Sequence, residues 1–281
     1  MLSSYKMIKI FITVRNRLAI TKKCIEALRL HTKIPFQLYI YDNQTTYLLE
    51  NHFSYFNKLL HKKMVTQVVF NTDDSTYNAF SKAAACNMFG LWHEQDPNKD
   101  SYDFLLILDN DIIVCPDWDT KVKAAWKHVA KNKMHHIKVI GQIPGGIKNT
   151  EGKVVIQDDL IGHPGRLGGS GFWTVKPNFF TDVGLLDLKQ LIGHDKRHDQ
   201  LYWAKLGKST NGQPYILGLR NQLAFHCGGI AGSVCNRLTS NRNNPNKQQL
   251  ICFEESEEKI SNMSFNDFYK MILDDPNMRV W

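Results

Sequence analysis

The chain has 281 residues, of which 43% are hydrophobic and 22% charged, with a formal net charge of +8. This composition suits one large α/β domain or two intimate halves around a sizeable core. No stretch approaches the roughly 18 continuous apolar residues of a membrane span, and the six cysteines form no C-x-x-C pair, which argues against a zinc knuckle or a redox motif.

The opening segment MLSSYKMIKIFITV lacks the apolar run and small-residue cleavage site of a signal peptide. The expectation is a soluble, cytoplasmic protein with reduced thiols. The positive charge favours acidic partners such as nucleotide phosphates, nucleic acid or an anionic membrane surface. It is spread along the chain with no basic tail, so a merely solvated face stands as the alternative.

In chain order, MIKIFITV (7–14) reads as a buried strand and RLAITKKCIEALRLH (17–31) as an amphipathic helix with Ile20, Cys24, Ala27 and Leu28 on one face. Strands follow at 36–42, 64–70 and 102–109, separated by helices at 46–60 and 75–92. This alternation predicts a mostly parallel sheet with right-handed crossovers. Beyond it the spacing predicts a helix over 116–132 and a strand over 136–143. Short strands are expected near 153–157 and 168–175, and a helix over 199–207 ending at Gly207. Residues 213–229 read as strands or a loop–strand pair. The polar, Asn-rich stretch 236–249 reads as a loop, and 264–275 as a closing helix capped by Ser264.

Ligands in parallel sheets bind beyond the carboxyl ends of the strands. Here those ends carry Arg15 and Asn16, Asp42 and Asn43, Asn71 and Asp73, and Asp109 and Asp111. The topology therefore predicts that four polar clusters converge on one edge.

The fourth strand, in LLILDNDIIV (105–114), runs apolar residues into Asp109-Asn110-Asp111. An unpaired buried carboxylate is costly, so this pair must be solvated, paired or bound to a cation. On an extended chain the two side chains fall on one side, about 7 Å apart. Hard cations such as Mg²⁺ or Mn²⁺ accept such ligands and complete their shell with phosphates. A pair of turn caps is the bland alternative. A second match, Asp117-Trp118-Asp119, follows Pro116 at a helix start, where acids complement the helix dipole, and reads as structural. Phosphatases of the haloacid-dehalogenase type also place D-x-D after a strand. Their Thr or Val two residues on is replaced here by Ile113.

With these motifs in order, the chain resembles a glycosyltransferase of the GT-A fold, family 2 in style. FITVRNR (11–17), with Thr13, Arg15, Asn16 and Arg17, is similar to the family's opening strand and nucleotide loop. YIYDNQT (39–45) resembles its second strand, whose Asp, here Asp42, meets the base. YNAFSKAAACNMF (77–89) resembles its third helix, with Asn87 in place. LLILDND resembles the D-x-D that holds a divalent cation against the diphosphate. GGSGFWTVKPNFFTDVGLLD (168–187), containing Gly169 and Trp173, is similar to the acceptor-side segment, and GHDKRHDQLYWAKLG (193–207) to the segment that supplies the catalytic base.

The resemblance implies a nucleotide-sugar donor, most simply a UDP-sugar, with Mn²⁺ or Mg²⁺ held by Asp109 and Asp111. It implies Asp195 as general base in an inverting transfer. His194 stands where the family commonly has Glu, and Asp199 lies one helical turn beyond Asp195. His226, in LAFHCGG, is a candidate third metal ligand or a hydrogen-bonded structural histidine. Asn71, Asp73 and Asn110 belong to the donor edge by position. Trp173 suits a sugar face or the core equally.

The corresponding organisation is a single GT-A-like domain: a nucleotide-sugar half at 1–112, an acceptor half at 113–235, and a C-terminal loop and helix at 236–281. Arg237, Arg242 and Lys247 make the 236–249 loop either a lid over the diphosphate or a disordered segment. The acceptor is a hydroxyl on a glycan, a small molecule or a hydroxylated DNA base. A second reading, motivated by the +8 charge, is a nucleic-acid-binding protein on a nucleotide-binding scaffold without transferase activity. It calls for a basic face interleaved with aromatics, and none is concentrated in the sequence.

Overall fold

The structure, a computed structural model, describes residues 7–43, 45, 48–71, 82–142, 152–157, 159–166, 171–187, 198–227 and 247–274. Its first strands are predominantly apolar, and β1 and β4 are buried on both faces along most of their length. They are β1 (Met7–Val14), β2 (Phe36–Asn43), β3 (Gln67–Asn71) and β4 (Tyr102–Asp109). Between them lie α1 (Leu18–His31), α2 (Leu49–His61) and α3 (Lys82–Glu94). β5 (Ile112–Val114), α4 (Trp118–Lys131) and β6 (Val139–Gln142) follow. Then come β7 (Val154–Gln157), β8 (Leu160–Gly165), β9 (Phe172–Val175), α5 (Phe179–Val183) and α6 (His198–Ser209). β10 (Ile216–Leu219), β11 (Ala224–His226), α7 (Lys247–Asn262) and α8 (Phe265–Asp274) complete the described chain.

Among the described residues, nine strands form one sheet in the order β3-β2-β1-β4-β9-β6-β10-β8-β7, and β11 and β5 form a separate ribbon. β1 pairs parallel with β2 and β4, β2 with β3, and β6 with β10. β9 and β8 run against their neighbours. The sheet is therefore mixed and mostly parallel.

The period-2 alternation of β1 sends Ile8, Ile10, Ile12 and Val14 to one face, where they meet α1, α2, α4 and residues of the two C-terminal helices. Phe11 faces the other side with Tyr39, Phe89, Trp173 and Tyr202. There α3 and α5 approach closely: a Cβ added at Gly90 would lie 2.7 Å from Leu185 and 2.8 Å from Phe180. Cys24, Cys86, Cys115 and Cys227 are buried free thiols.

Several elements differ from expectation. Residues 247–249 are not loop but the first turn of α7, which the sequence reading missed because it follows a polar stretch without a clear apolar stripe. β8 and β5 were also unanticipated, the first because Gly162, Pro164 and Gly165 mask its alternation. Ser264 behaves as expected, its Oγ accepting the Asp267 amide at 3.1 Å and donating to the Asp267 carboxylate at 2.6 Å.

Candidate active site

The parallel strands β1, β2, β3 and β4 deliver their carboxyl ends to one edge, and the polar residues gather there. After β1 the chain makes a tight turn in which Asn16 (φ 51°) and Arg17 (φ 55°) are both left-handed. Two consecutive non-glycine residues in this region carry strain of order 1–3 kcal/mol each, which persists where surrounding contacts overdetermine it. Thr45 Oγ1 accepts the Asn16 amide at 3.0 Å. Asn110 Nδ2 donates to Thr21 Oγ1 at 2.8 Å and reaches the Asn16 carbonyl at 3.4 Å. Glu257, from α7, accepts the Ala19 amide at 2.8 Å and supplies the N-terminal cap that Arg17 itself does not.

The turn aims Arg17 at Asp111, with Nη1 2.6 Å from Oδ2. On the other side the β5–β11 ribbon pairs Ile112 with His226, and His226 Nε2 stands 3.3 Å from the same Asp111 oxygen. Burial pushes the Asp111 carboxyl up, but the His226 hydrogen bond and the Arg17 guanidinium outweigh it and hold it at about 2. Burial lowers the His226 imidazole, and its hydrogen bond to Asp111, with the charges of Asp111 and Asp109, more than reverses this, so its pKa is raised.

Asp109 ends β4 and forms an ion pair with Lys82 at the start of α3. Burial pushes its carboxyl up; Lys82 opposes that and the Asp111 charge reinforces it, leaving a net upward shift. The side chain is 31% exposed, whereas that of Asp111 is 10% exposed. The expectation that both acids share one side of an extended strand is corrected: β4 stops at Asp109 and residues 110–111 turn, because Asn110 is drawn inward to Thr21.

At the end of β2, Asp42 is buried and closes a turn: its Oδ1 accepts the Thr45 amide and its Oδ2 the Thr45 hydroxyl, both at 2.8 Å. His52 from α2 faces it at 3.4 Å. Asn71 pairs in register with Asn43 across β2 and β3. Thr13, flanked in the sheet by Tyr41 and Asp109, has a buried hydroxyl without a hydrogen-bond partner among the described residues. Arg15 follows β1 on the same edge.

Trp173 is corrected. It is 2% exposed, packed 4.8 Å from the Trp203 ring and 5.7 Å from Tyr202, so it belongs to the core and offers no face to a sugar. Its place in β9, opposite Ile107 of the buried strand β4, dictates this. Asp119 is structural as expected, though its carboxylate serves the α1–β2 loop and not its own helix, accepting the Lys33 and Ile34 amides at 2.8 and 2.7 Å. Asp73, Gly169 and Asp195, with Arg237 and Arg242, lie outside the described residues. Lys82, His52, Thr45 and Glu257 were not foreseen; Thr45 closes a local turn on Asp42, while the other three act across a sequence separation with no local signature.

Among the described residues no group of three His, Cys, Asp or Glu side chains stands ready to hold a metal ion. The expected triad is therefore brought together only in part, Asp111 with His226, while Asp109 turns to Lys82. A carboxylate oxygen beside an imidazole nitrogen is nevertheless a donor set that suits a divalent cation completing its shell with water and phosphate.

The sequence matches no protein-family model and no curated protein. Solved structures do match. A crystal structure of S. aureus TarS 1-349 aligns over 95% of this chain and 78% of that one, at TM-score 0.51 and 13% identity. The mannosyltransferase PcManGT from Pyrobaculum calidifontis, in complex with GDP-Man and Mn²⁺, aligns over 91% of this chain and 70% of that one, at TM-score 0.53 and 9% identity. GalNAc-T7 with UDP, GalNAc and Mn²⁺ aligns over 77% of this chain but only 43% of its own, at TM-score 0.52 and 12% identity. With the strand order and the polar edge described above, these likenesses establish that the chain has the GT-A glycosyltransferase fold.

Proposed function

We propose that the chain is a metal-dependent glycosyltransferase that moves a sugar from a nucleoside diphosphate, UDP in the simplest case, to a hydroxyl acceptor with inversion. The observation that carries this reading is Asp111, held between Arg17 and His226 at the carboxyl edge of the parallel strands. Asp111 and His226 would hold Mn²⁺ or Mg²⁺, with Asp109 adjacent. The bound cation supplies neutralisation of the charge that develops on the departing diphosphate.

The remaining roles belong to the chain itself. Arg17 and Lys82 bring two positive charges to the same edge, where they neutralise diphosphate oxygens. Thr13, whose buried hydroxyl lies beside Asp109 without a hydrogen-bond partner among the described residues, belongs to the donor-binding set. Asp42, Asn43 and Asn71 line the nucleoside side, with Arg15, Asn16, Asp73, Asn110 and Gly169 completing the donor-binding set. Asp195 takes the acceptor proton as the acceptor oxygen bonds to the anomeric carbon and the bond from that carbon to the diphosphate oxygen breaks. In this scheme residues 1–112 bind the donor, 113–235 the acceptor, and 236–281 close the domain. The acceptor hydroxyl belongs to a glycan, a small molecule or a hydroxylated DNA base.

Thermal shift with UDP, GDP, CDP and dTDP, each with Mn²⁺ and with EDTA, tests the proposal. A metal-dependent rise with one nucleotide is expected and identifies the donor class. No rise with any nucleotide overturns it and favours a binding protein without transferase activity.

A further inference from the structure

The helix α4 returns the chain from the ligand edge to the start of β6, and along it a cleft of about 640 Å³ opens against the edge strand β7. Its helical wall carries Lys123, Lys127, His128 and Lys131, and the facing wall carries Val155 and Gln157. Lys123, Lys127 and Lys131 recur every fourth residue, so they form a row with about 6 Å of rise between members. No carboxylate lines the cleft among the described residues. Lys123 pairs at 2.6 Å with Asp103. Lys127 and Lys131 are exposed and carry no ion pair among the described residues.

We infer that the α4–β7 cleft binds the backbone of a single-stranded phosphodiester chain, independently of its base sequence. This deepens the proposed function by making the acceptor, or the molecule bearing it, a nucleic-acid strand, and it rests on that reading only for the acceptor role. The chemistry selects the partner. The cleft lies open between a helix and a strand, so an extended chain can enter it along the lysine row. Its cations are lysines, point charges that bind phosphate without fixing its orientation, as contacts to a repeated backbone require. No Phe, Tyr or Trp lines it among the described residues and His128 is its one aromatic ring, so bases have little platform and recognition rests mainly with the backbone.

The test is fluorescence anisotropy of a labelled mixed-sequence single-stranded oligonucleotide, titrated with the whole chain between 50 and 200 mM salt. The double variant K127Q/K131Q is compared with K58Q/K62Q, which removes the same charge from the end of α2 and the residue after it. Each lost phosphate contact flattens the log–log salt slope by about 0.7, so the cleft variant should lose about 1.4 of slope. Over this salt range, wild-type affinity then falls roughly seven-fold more than that of the cleft variant. The K58Q/K62Q slope should match wild type. Equal loss in both variants, or no oligonucleotide binding at 50 mM salt, overturns the inference. So does binding to phosphatidylserine vesicles that needs Lys127 and Lys131 while the oligonucleotide does not bind. The nucleotide–Mn²⁺ thermal shift, measured on the same variants, reports the transferase reading separately and should be unchanged.

Discussion

Replacing Asp111 by Asn separates the fold from the site, because the structure assigns each a distinct cost. The Asp111 side chain is 10% exposed and faces Arg17, 11% exposed, and His226, 44% exposed. Stranding a buried cation costs 3–5 kcal/mol in the extreme, and the residual access of solvent reduces this to about 2–3 kcal/mol. At roughly 2.1 cal/mol/K per residue, a chain of this length loses about 3–5 °C in Tm for that amount. The ligand effect is separate: a nucleotide at 100 times its Kd stabilises the wild type by about 2.7 kcal/mol, a rise of roughly 5 °C. The variant should therefore melt cooperatively at the lower temperature in the absence of ligand and show no rise with nucleotide and Mn²⁺. Differential scanning fluorimetry reads both numbers, and near-UV circular dichroism verifies intact packing. Asp117→Asn is the control: Asp117 pairs with Lys33 on the open surface, at 45% and 67% exposure, and should change neither quantity. A nucleotide shift that survives in Asp111→Asn, or disappears in both variants, refutes the assignment of Asp111.

At the opposite end of β1, Lys9 is fully buried, 2.5 Å from Asp96 and over the rings of Tyr39 and Tyr102. Lys9→Met should cost about 3 kcal/mol by urea unfolding, whereas Lys9→Met with Asp96→Asn should cost less than the single change; additive costs would show that the pair is not coupled. His93 donates from Nε2 to the Pro177 carbonyl at 2.7 Å, and burial lowers its pKa. Its contribution is complete above the unfolded value near 6.5 and is lost as pH falls from there through the folded pKa, with a slope of at most about 1.4 kcal/mol per pH unit. His93→Gln should flatten that part of the stability profile between pH 7.5 and 5.5, and an unchanged slope would contradict it. Lys63 holds φ 54° just past α2, with the Met64 amide bonded back to Leu59 at 2.9 Å. Lys63→Gly should raise stability by roughly 0.5–1 kcal/mol, and a lower Tm would count against the strain argument.

The first half of the fold was legible because its signals are local. Predominantly apolar segments of eight residues at 7–14 and 102–109 are long enough to fix strands buried on both faces, and the bounds of β1 and β4 coincide with expectation. Beyond Asp111 the elements shorten. β5 spans three residues and β8 contains two glycines and a proline, so neither presents a periodic pattern; their identity comes from the partners they meet, β11 and β10. The basic row on α4 was hidden for a related reason. In the linear sequence its lysines alternate with Trp126, Val122 and Val129, and only helical wrapping separates the buried face from the charged one.

The site divides the same way. Convergence of Arg17, Asp42 and Asp111 on one edge follows from strand alternation alone, since parallel strands must end on the same side. What alternation does not contain is the counter-charge. Arg17 reaches Asp111 only because Asn16 and Arg17 adopt left-handed backbone, and that turn is held by Thr45, Asn110 and, from 238 positions away, Glu257. Burial raises the Glu257 carboxyl, and the Ala19 amide is its main offset, so this acid is positioned by the turn as much as it positions it. Residues that read as chemistry in the sequence are thus held in place by residues that read as nothing. Glu257→Gln tests the dependence directly: the amide can still accept from Ala19, so stability should change little, whereas Glu257→Ala should loosen the turn and weaken nucleotide binding without touching the ligand. Equal nucleotide shifts in wild type and Glu257→Ala would show that the Arg17 turn stands without its C-terminal brace.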